Sequence, residues 1–201
     1  MDRKTQIPSR VDSKIVEGSL AGSFLVAGPA LRDPRFHKAV VYMCVHDAEQ
    51  AMGIIINKPK PDVKLSTMLP HLEIEGKVTN ADTPVLYGGP VETERGFILH
   101  TRDFMDENNS LPLGENLALS TSKSVLKSLT SPQAPKKAIL SLGYAGWHAG
   151  QLESEIANNS WFVTPANDDI IFSGDANTKW TQVMFLAGIT PEFLSREAGH
   201  A

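Results

Sequence analysis

The chain has 201 residues, of which 41% are hydrophobic, 7% aromatic and 21% charged; this excludes a disordered, collagen-like or disulfide-stapled protein. Nineteen basic against 23 acidic side chains give a formal charge of −4, and the only adjacent basic pairs are Arg3-Lys4 and Lys136-Lys137, so the composition argues against binding nucleic acid through a basic face. A single cysteine, Cys44, cannot close an internal disulfide and points to a reducing compartment.

No run approaches the roughly 18 apolar residues of a membrane span, and MDRKTQIPSR lacks the apolar core of a secretory signal. A soluble, cytoplasmic protein is the expectation. Residues 1–17 carry no pattern and read as a flexible arm; residues 18–201 read as one domain. Six apolar runs, Phe24 to Ala27, Ala39 to His46, Met52 to Asn57, Pro84 to Tyr87, Gly96 to Thr101 and Ala138 to Leu142, are punctuated as strands by Gly, Pro, Asn or Asp. Ile54-Ile55-Ile56 and Phe97-Ile98-Leu99 are apolar on both alternating faces, which predicts a sheet covered on both sides. Hairpin links are predicted at Asp47 to Gln50 and at Gly88 to Arg95. Residues 58–82 are polar and proline-bearing, an excursion from the sheet with one short helix near Leu65 to Leu69. Helices are predicted from Ser120 or Thr121 to Leu129, over Gln151 to Asn158, and over Asn177 to Ala187, where Gly188 ends the last.

Three segments invite a chemical reading. In LSLGYAGWHAGQLESE, Leu140 to Glu155, a strand is expected to enter a turn at Gly143, Gly146 and Gly150 and then a helix. Such turns bind phosphates through exposed N–H groups, but neither a dinucleotide fingerprint nor a P-loop is present, and Glu153 and Glu155 would repel an anion there. A structural turn is the first reading, with Tyr144 and Trp147 as ligand contacts the alternative. Strand alternation puts Tyr42, Cys44 and His46 on one face, where a His could activate a thiolate; a buried Cys acting as a small hydrophobe is the plainer reading. The histidines lack metal-site spacing, and one cysteine cannot build a thiolate zinc site.

Asn57-Lys58-Pro59 ends a strand with polar groups, and Arg95 stands beside a glycine turn and two glutamates. Arg95 reads as a solvated charge with an anchoring role as the alternative. Trp180 to Gly199 has the outline of a helix-turn-helix, yet its second stretch offers Arg196 against Glu192 and Glu197 and lacks the side chains that read a major groove.

The motifs GSFLVAGPALRDPRFHKAVVYMCVHD, AMGIIINKP, LYGGPVETERGFILHT and LGYAGWHAGQLESEI, in that order, resemble the YqgE/AlgH family of bacterial proteins from about Gly18 to Gly188. Ala27-Gly28-Pro29 departs from the methionine more usual in the family. The resemblance implies an α/β fold: a layered sandwich with a mixed β-sheet flanked by helices and a small appended or inserted lobe. It carries over no catalytic residues and no cofactor, although one branch is labelled a transcriptional regulator. The expected function is therefore a non-catalytic binding or regulatory module that acts through a small molecule or a protein partner. Direct DNA regulation and an enzyme using Cys44 and His46 are the alternatives. The expected ligand site gathers His46, Asp47, Asn57, Tyr144 and Trp147, with aromatic surface from the last two and hydrogen bonds from His46 and Asn57. No metal is expected.

Overall fold

The computed structural model describes residues 18–75, 84–121, 123–173 and 175–190. Ten strands and five helices follow in the order β1 (Ser23–Ala27), β2 (Val40–His46), β3 (Gln50–Ile55), β4 (Pro59–Lys64), α1 (Leu65–His71), β5 (Pro84–Tyr87), β6 (Val91–Thr101), β7 (Ser110–Leu113), β8 (Leu117–Ser120), α2 (Lys123–Ser128), β9 (Ala138–His148), α3 (Gln151–Ala157), β10 (Trp161–Pro165), α4 (Asp168–Phe172) and α5 (Ala176–Leu186). The main path of the sheet is β10-β1-β2-β3-β9-β6-β8-β7. Every pairing along it is antiparallel; β5 joins parallel to β9, and β4 pairs with β5.

The double-sided apolar runs bury as their pattern predicts. Phe24, Val26, Ile54, Ile56, Phe97 and Leu99 face one core, covered by Ile171 of α4 and by Val183 and Met184 of α5. Leu25, Val41, Met43 and Ile55 face a second, with Leu152 of α3 and the indoles of Trp147 and Trp161. A third forms where Leu65 and Leu69 of α1 and Val125 and Leu126 of α2 meet Val85, Ile98 and Leu140.

β9 does not stop at the glycines. It continues through Gly143 and Gly146 to His148, so only Gly150, with φ of 72°, forms a turn. Its first half lies between β5 and β6; its second half pairs with β3. The chain between β5 and β6, residues 88–90, therefore crosses over β9, and the hairpin link expected at Gly88 to Arg95 is instead a crossover followed by the start of β6. Two backbones meet there with no room between them: a Cβ on Gly143 would lie 2.4 Å from the Gly89 carbonyl oxygen, and one on Gly89 would lie 2.1 Å from the Tyr144 carbonyl carbon. Glycine is required by contact at both places, as well as by φ values of 74° and 151°.

The excursion after Asn57 contains a strand as well as a helix. β4 tolerates Pro59 and Pro61 because it lies at the sheet margin, paired only with β5. The short strands β4, β7, β8 and β10 and helix α4, each six residues or fewer, lie outside the predicted elements. The expected N-terminal arm and the second stretch of the helix-turn-helix outline, from residue 191, lie outside the described residues.

Candidate functional site

A bulge in β2 decides what the residues after it can do. Met43 pairs with Gly53 and Val45 with Met52, which leaves Cys44 without a partner. The extra residue reverses the alternation. Val45 packs in the first core with Tyr42 and Cys44, while His46, opposite Ala51, turns toward the second core. Cys44 and His46 thus diverge, contrary to the shared face expected from a regular strand. Burial also pushes the Cys44 thiol up to about 12, so it stays protonated and is a poor nucleophile near neutral pH.

His46 is a tie between segments. The Leu20 N–H donates to His46 Nδ1 at 3.0 Å, so the proton resides on Nε2, which donates to Glu153 Oε1 at 2.8 Å. Asp47 closes the β2–β3 hairpin by accepting from the N–H groups of Glu49 and Gln50 at 2.8 and 3.0 Å. Asn57 accepts from the Val40 N–H and donates to the Lys38 carbonyl, each at 2.8 Å. These three expected ligand residues are occupied in holding the chain together.

Tyr144 and Trp147 do come together, along one cavity of about 460 Å³. Its lining combines the cross-strand pairs Gln50–His148 and Met52–Gly146 with Val45, Val91 and Phe97. Phe97 and Tyr144 meet edge to face, centroids 5.4 Å apart. Trp147 lines the cavity while its indole belongs to the second core: its N–H donates to Glu155 Oε2 at 2.9 Å, and Trp161 donates to the same oxygen at 2.8 Å.

The charged wall comes from residues 92–95, which bulge out of β6 between the pairs Val91–Tyr144 and Gly96–Leu142. Arg95 lies over the Phe97 ring, 5.4 Å from its centroid, and donates to Glu92 Oε2 at 2.9 Å. Desolvation and then the Glu92 carboxylate raise the Tyr144 phenol, while Arg95 opposes them; the hydroxyl remains a donor at neutral pH. Met52, Phe97 and Arg95 were not among the expected site residues. Phe97 and Arg95 reach Tyr144 through the β6–β9 pairing, which spans some fifty residues of chain, and Met52 through the β3–β9 pairing, which spans more; no local motif announces either. Among the described residues, no group of three or more His, Cys, Asp or Glu side chains is placed to hold a metal ion, and no helix is long and apolar enough to cross a membrane.

The fold defines a mixed α/β protein with a largely antiparallel sheet and a cavity beside Tyr144. The AlgH-like family model matches residues 24–192, and the chain belongs to that family. A UPF0301 protein of Rhodopseudomonas palustris is 43% identical with both chains covered in full, and one of Paracoccus denitrificans is 40% identical over 91% of this chain and 97% of its own. The solution structure of the AlgH protein from Pseudomonas aeruginosa superposes with a TM-score of 0.74 at 36% identity, covering 94% of this chain and 99% of that one. The crystal structure of DIP2367 from Corynebacterium diphtheriae shares the fold, with a TM-score of 0.64 at 22% identity over 82% and 85% of the two chains.

Proposed function

We propose that this protein is a non-catalytic, cytoplasmic binding or regulatory module that acts through a small molecule held in the cavity beside Tyr144. The cavity itself carries the reading: about 460 Å³ falls within the range of small-molecule sites, and apolar walls with a few polar groups are the usual composition of such sites. Tyr144 and Trp147 keep the ligand role expected of them, and Arg95 joins them. Helices packed on both faces support a layered sandwich, with β4 and α1 as a small inserted lobe. Catalysis by Cys44 and His46 loses its support with their separation, and direct DNA reading draws none from the acidic composition.

A thermal-shift screen of the full chain against metabolites and nucleotides tests the reading. A ligand present at 100 times its dissociation constant stabilises by about 2.7 kcal/mol when it binds only the folded state, a rise of roughly 5–11 °C for a domain of this size. Gly146→Val should abolish the shift, because its Cβ would stand 3.1 Å from the Tyr144 ring and fill the cavity floor. A flat screen, or a ligand indifferent to Gly146→Val, overturns the assignment of this cavity.

A further inference from the structure

We infer that the ligand is a small organic acid, an apolar body ending in a carboxylate, which takes the Arg95 guanidinium from Glu92. The inference rests on the cavity reading above and adds the chemical class. It follows from the donors and acceptors that the protein leaves unused along the cavity wall.

Among the described residues, the hydrogen-bond partners of Arg95 are Glu92 and, at 3.5 Å, the Thr121 hydroxyl, which leaves most of its five donors free. The Tyr144 hydroxyl, the Gln50 carboxamide and the His148 ring also lack a hydrogen-bond partner among the described residues. A wall with a phenol and a guanidinium offers several donors at once, and a carboxylate accepts them better than any neutral group of its size. Its place over the Phe97 ring keeps the guanidinium beside the apolar lining, where a planar carboxylate can engage it side by side.

Glu92 occupies that guanidinium in the free protein, but loosely. The pair is solvent-accessible, at 38% and 33% side-chain exposure, and such pairs contribute little stability. Glu92 is also held with φ of 48°, in the left-handed region, inside the four-residue bulge. An incoming carboxylate therefore replaces one weak acceptor with another that brings its own apolar surface. The second acidic side chain of the wall, Glu49, follows β2 at the other end of the cavity. Its neighbour Gln50 pairs with His148, four residues along β9 from the Val91–Tyr144 pair, or about 13 Å at the rise of a strand. That exceeds the screening length at physiological salt, so Glu49 does not bar a monoanion beside Arg95. Together with Glu92 it does select against a ligand bearing several negative charges.

Three probes of one shape separate this inference from the reading beneath it: 3-phenylpropionate, 3-phenylpropanamide and 3-phenylpropylamine, each titrated into the full chain and followed by amide NMR. The carboxylate should shift Met52, Tyr144 and Gly146 and bind about tenfold more tightly than the amide or amine. Arg95→Gln should erase that preference while leaving weak amide binding, Arg95→Lys should retain part of it, and Glu92→Gln should strengthen carboxylate binding severalfold by removing the competitor. Equal affinities, a preference for the amine, or a carboxylate preference that survives Arg95→Gln overturns the acid assignment and leaves the cavity reading standing. If none of the probes shifts these residues, the cavity assignment falls, and the acid with it.

Discussion

Lys179 is 3% exposed, and its ammonium donates to the carbonyls of Ile56 at 3.1 Å and Ile171 at 2.8 Å, tying α5 to the end of β3 and to α4. Two neutral carbonyls do not replace the water that this charge has lost, and desolvation lowers its pKa from 10.5 to about 8. The sign follows directly. Between pH 8 and 10.5 the unfolded chain holds a proton that the folded chain has released, so stability rises with pH through this window. Below pH 8 both states are protonated and this contribution is flat. From pH 7 to pH 9 the gain is about 1 kcal/mol. The perturbation is Lys179→Met, which keeps the length of the side chain and removes the titration. Urea unfolding of both proteins at pH 7, 8 and 9 reads the difference, in which every other titrating group cancels. The wild-type minus variant stability should climb by about 1 kcal/mol across the series. A constant difference would mean that Lys179 is charged at no cost, and the account of its burial would be wrong.

Glycine contacts make a paired prediction. Gly143→Ala drives a Cβ into the Gly89 carbonyl at a φ of 74° and should cost about 3 kcal/mol or more in chemical denaturation, whereas Gly150→Ala, with a φ of 72° but open space around it, should cost about 1 kcal/mol; equal costs would refute the backbone crossing. Iodoacetamide should label Cys44 at pH 8 far more slowly in the native protein than in the urea-unfolded chain, because the thiol is buried and raised to about 12; equal rates monitored by mass would contradict this. Glu155→Ala leaves the indole N–H groups of Trp147 and Trp161 without their shared acceptor and should cost about 2 kcal/mol, with a change in tryptophan emission; an unchanged melting temperature would show that water replaces the carboxylate.

Much of the sheet was legible because its strands are apolar on both faces, a pattern that survives without knowledge of neighbours. Ile54-Ile55-Ile56 divides between two cores as the run predicts. What could not be read was set by pairing at a distance. The bulge that turns His46 away from Cys44 arises from the match between Met43–Val45 and Met52–Gly53, and nothing in VYMCVHD marks it. The continuation of β9 past Gly143 depends on a crossing chain fifty residues earlier, so the glycines looked like a turn when they were clearance. Of the expected ligand residues, Tyr144 and Trp147 line the cavity, and in the sequence both stand close to glycines. His46 and Asn57 show how far such a signal reaches: polar groups at strand ends are as readily used to fasten neighbouring segments as to meet a ligand.

The position of β9 also has a consequence during synthesis. β3, β5 and β6 all precede the strand that they flank, and the ribosome delivers residues 138–148 last among these four strands. From the end of β3 at Ile55 to the end of β9 at His148, a ribosome adding roughly 5–20 residues per second needs on the order of 5–20 s. In the later half of that interval, once β5 and β6 have been added, the nascent chain carries three apolar strands with an unpaired edge each, the form most prone to pair with another chain. The product should therefore depend on chaperone capacity and growth temperature more than its finished stability would suggest, and slower translation between β6 and β9 should lower its soluble yield.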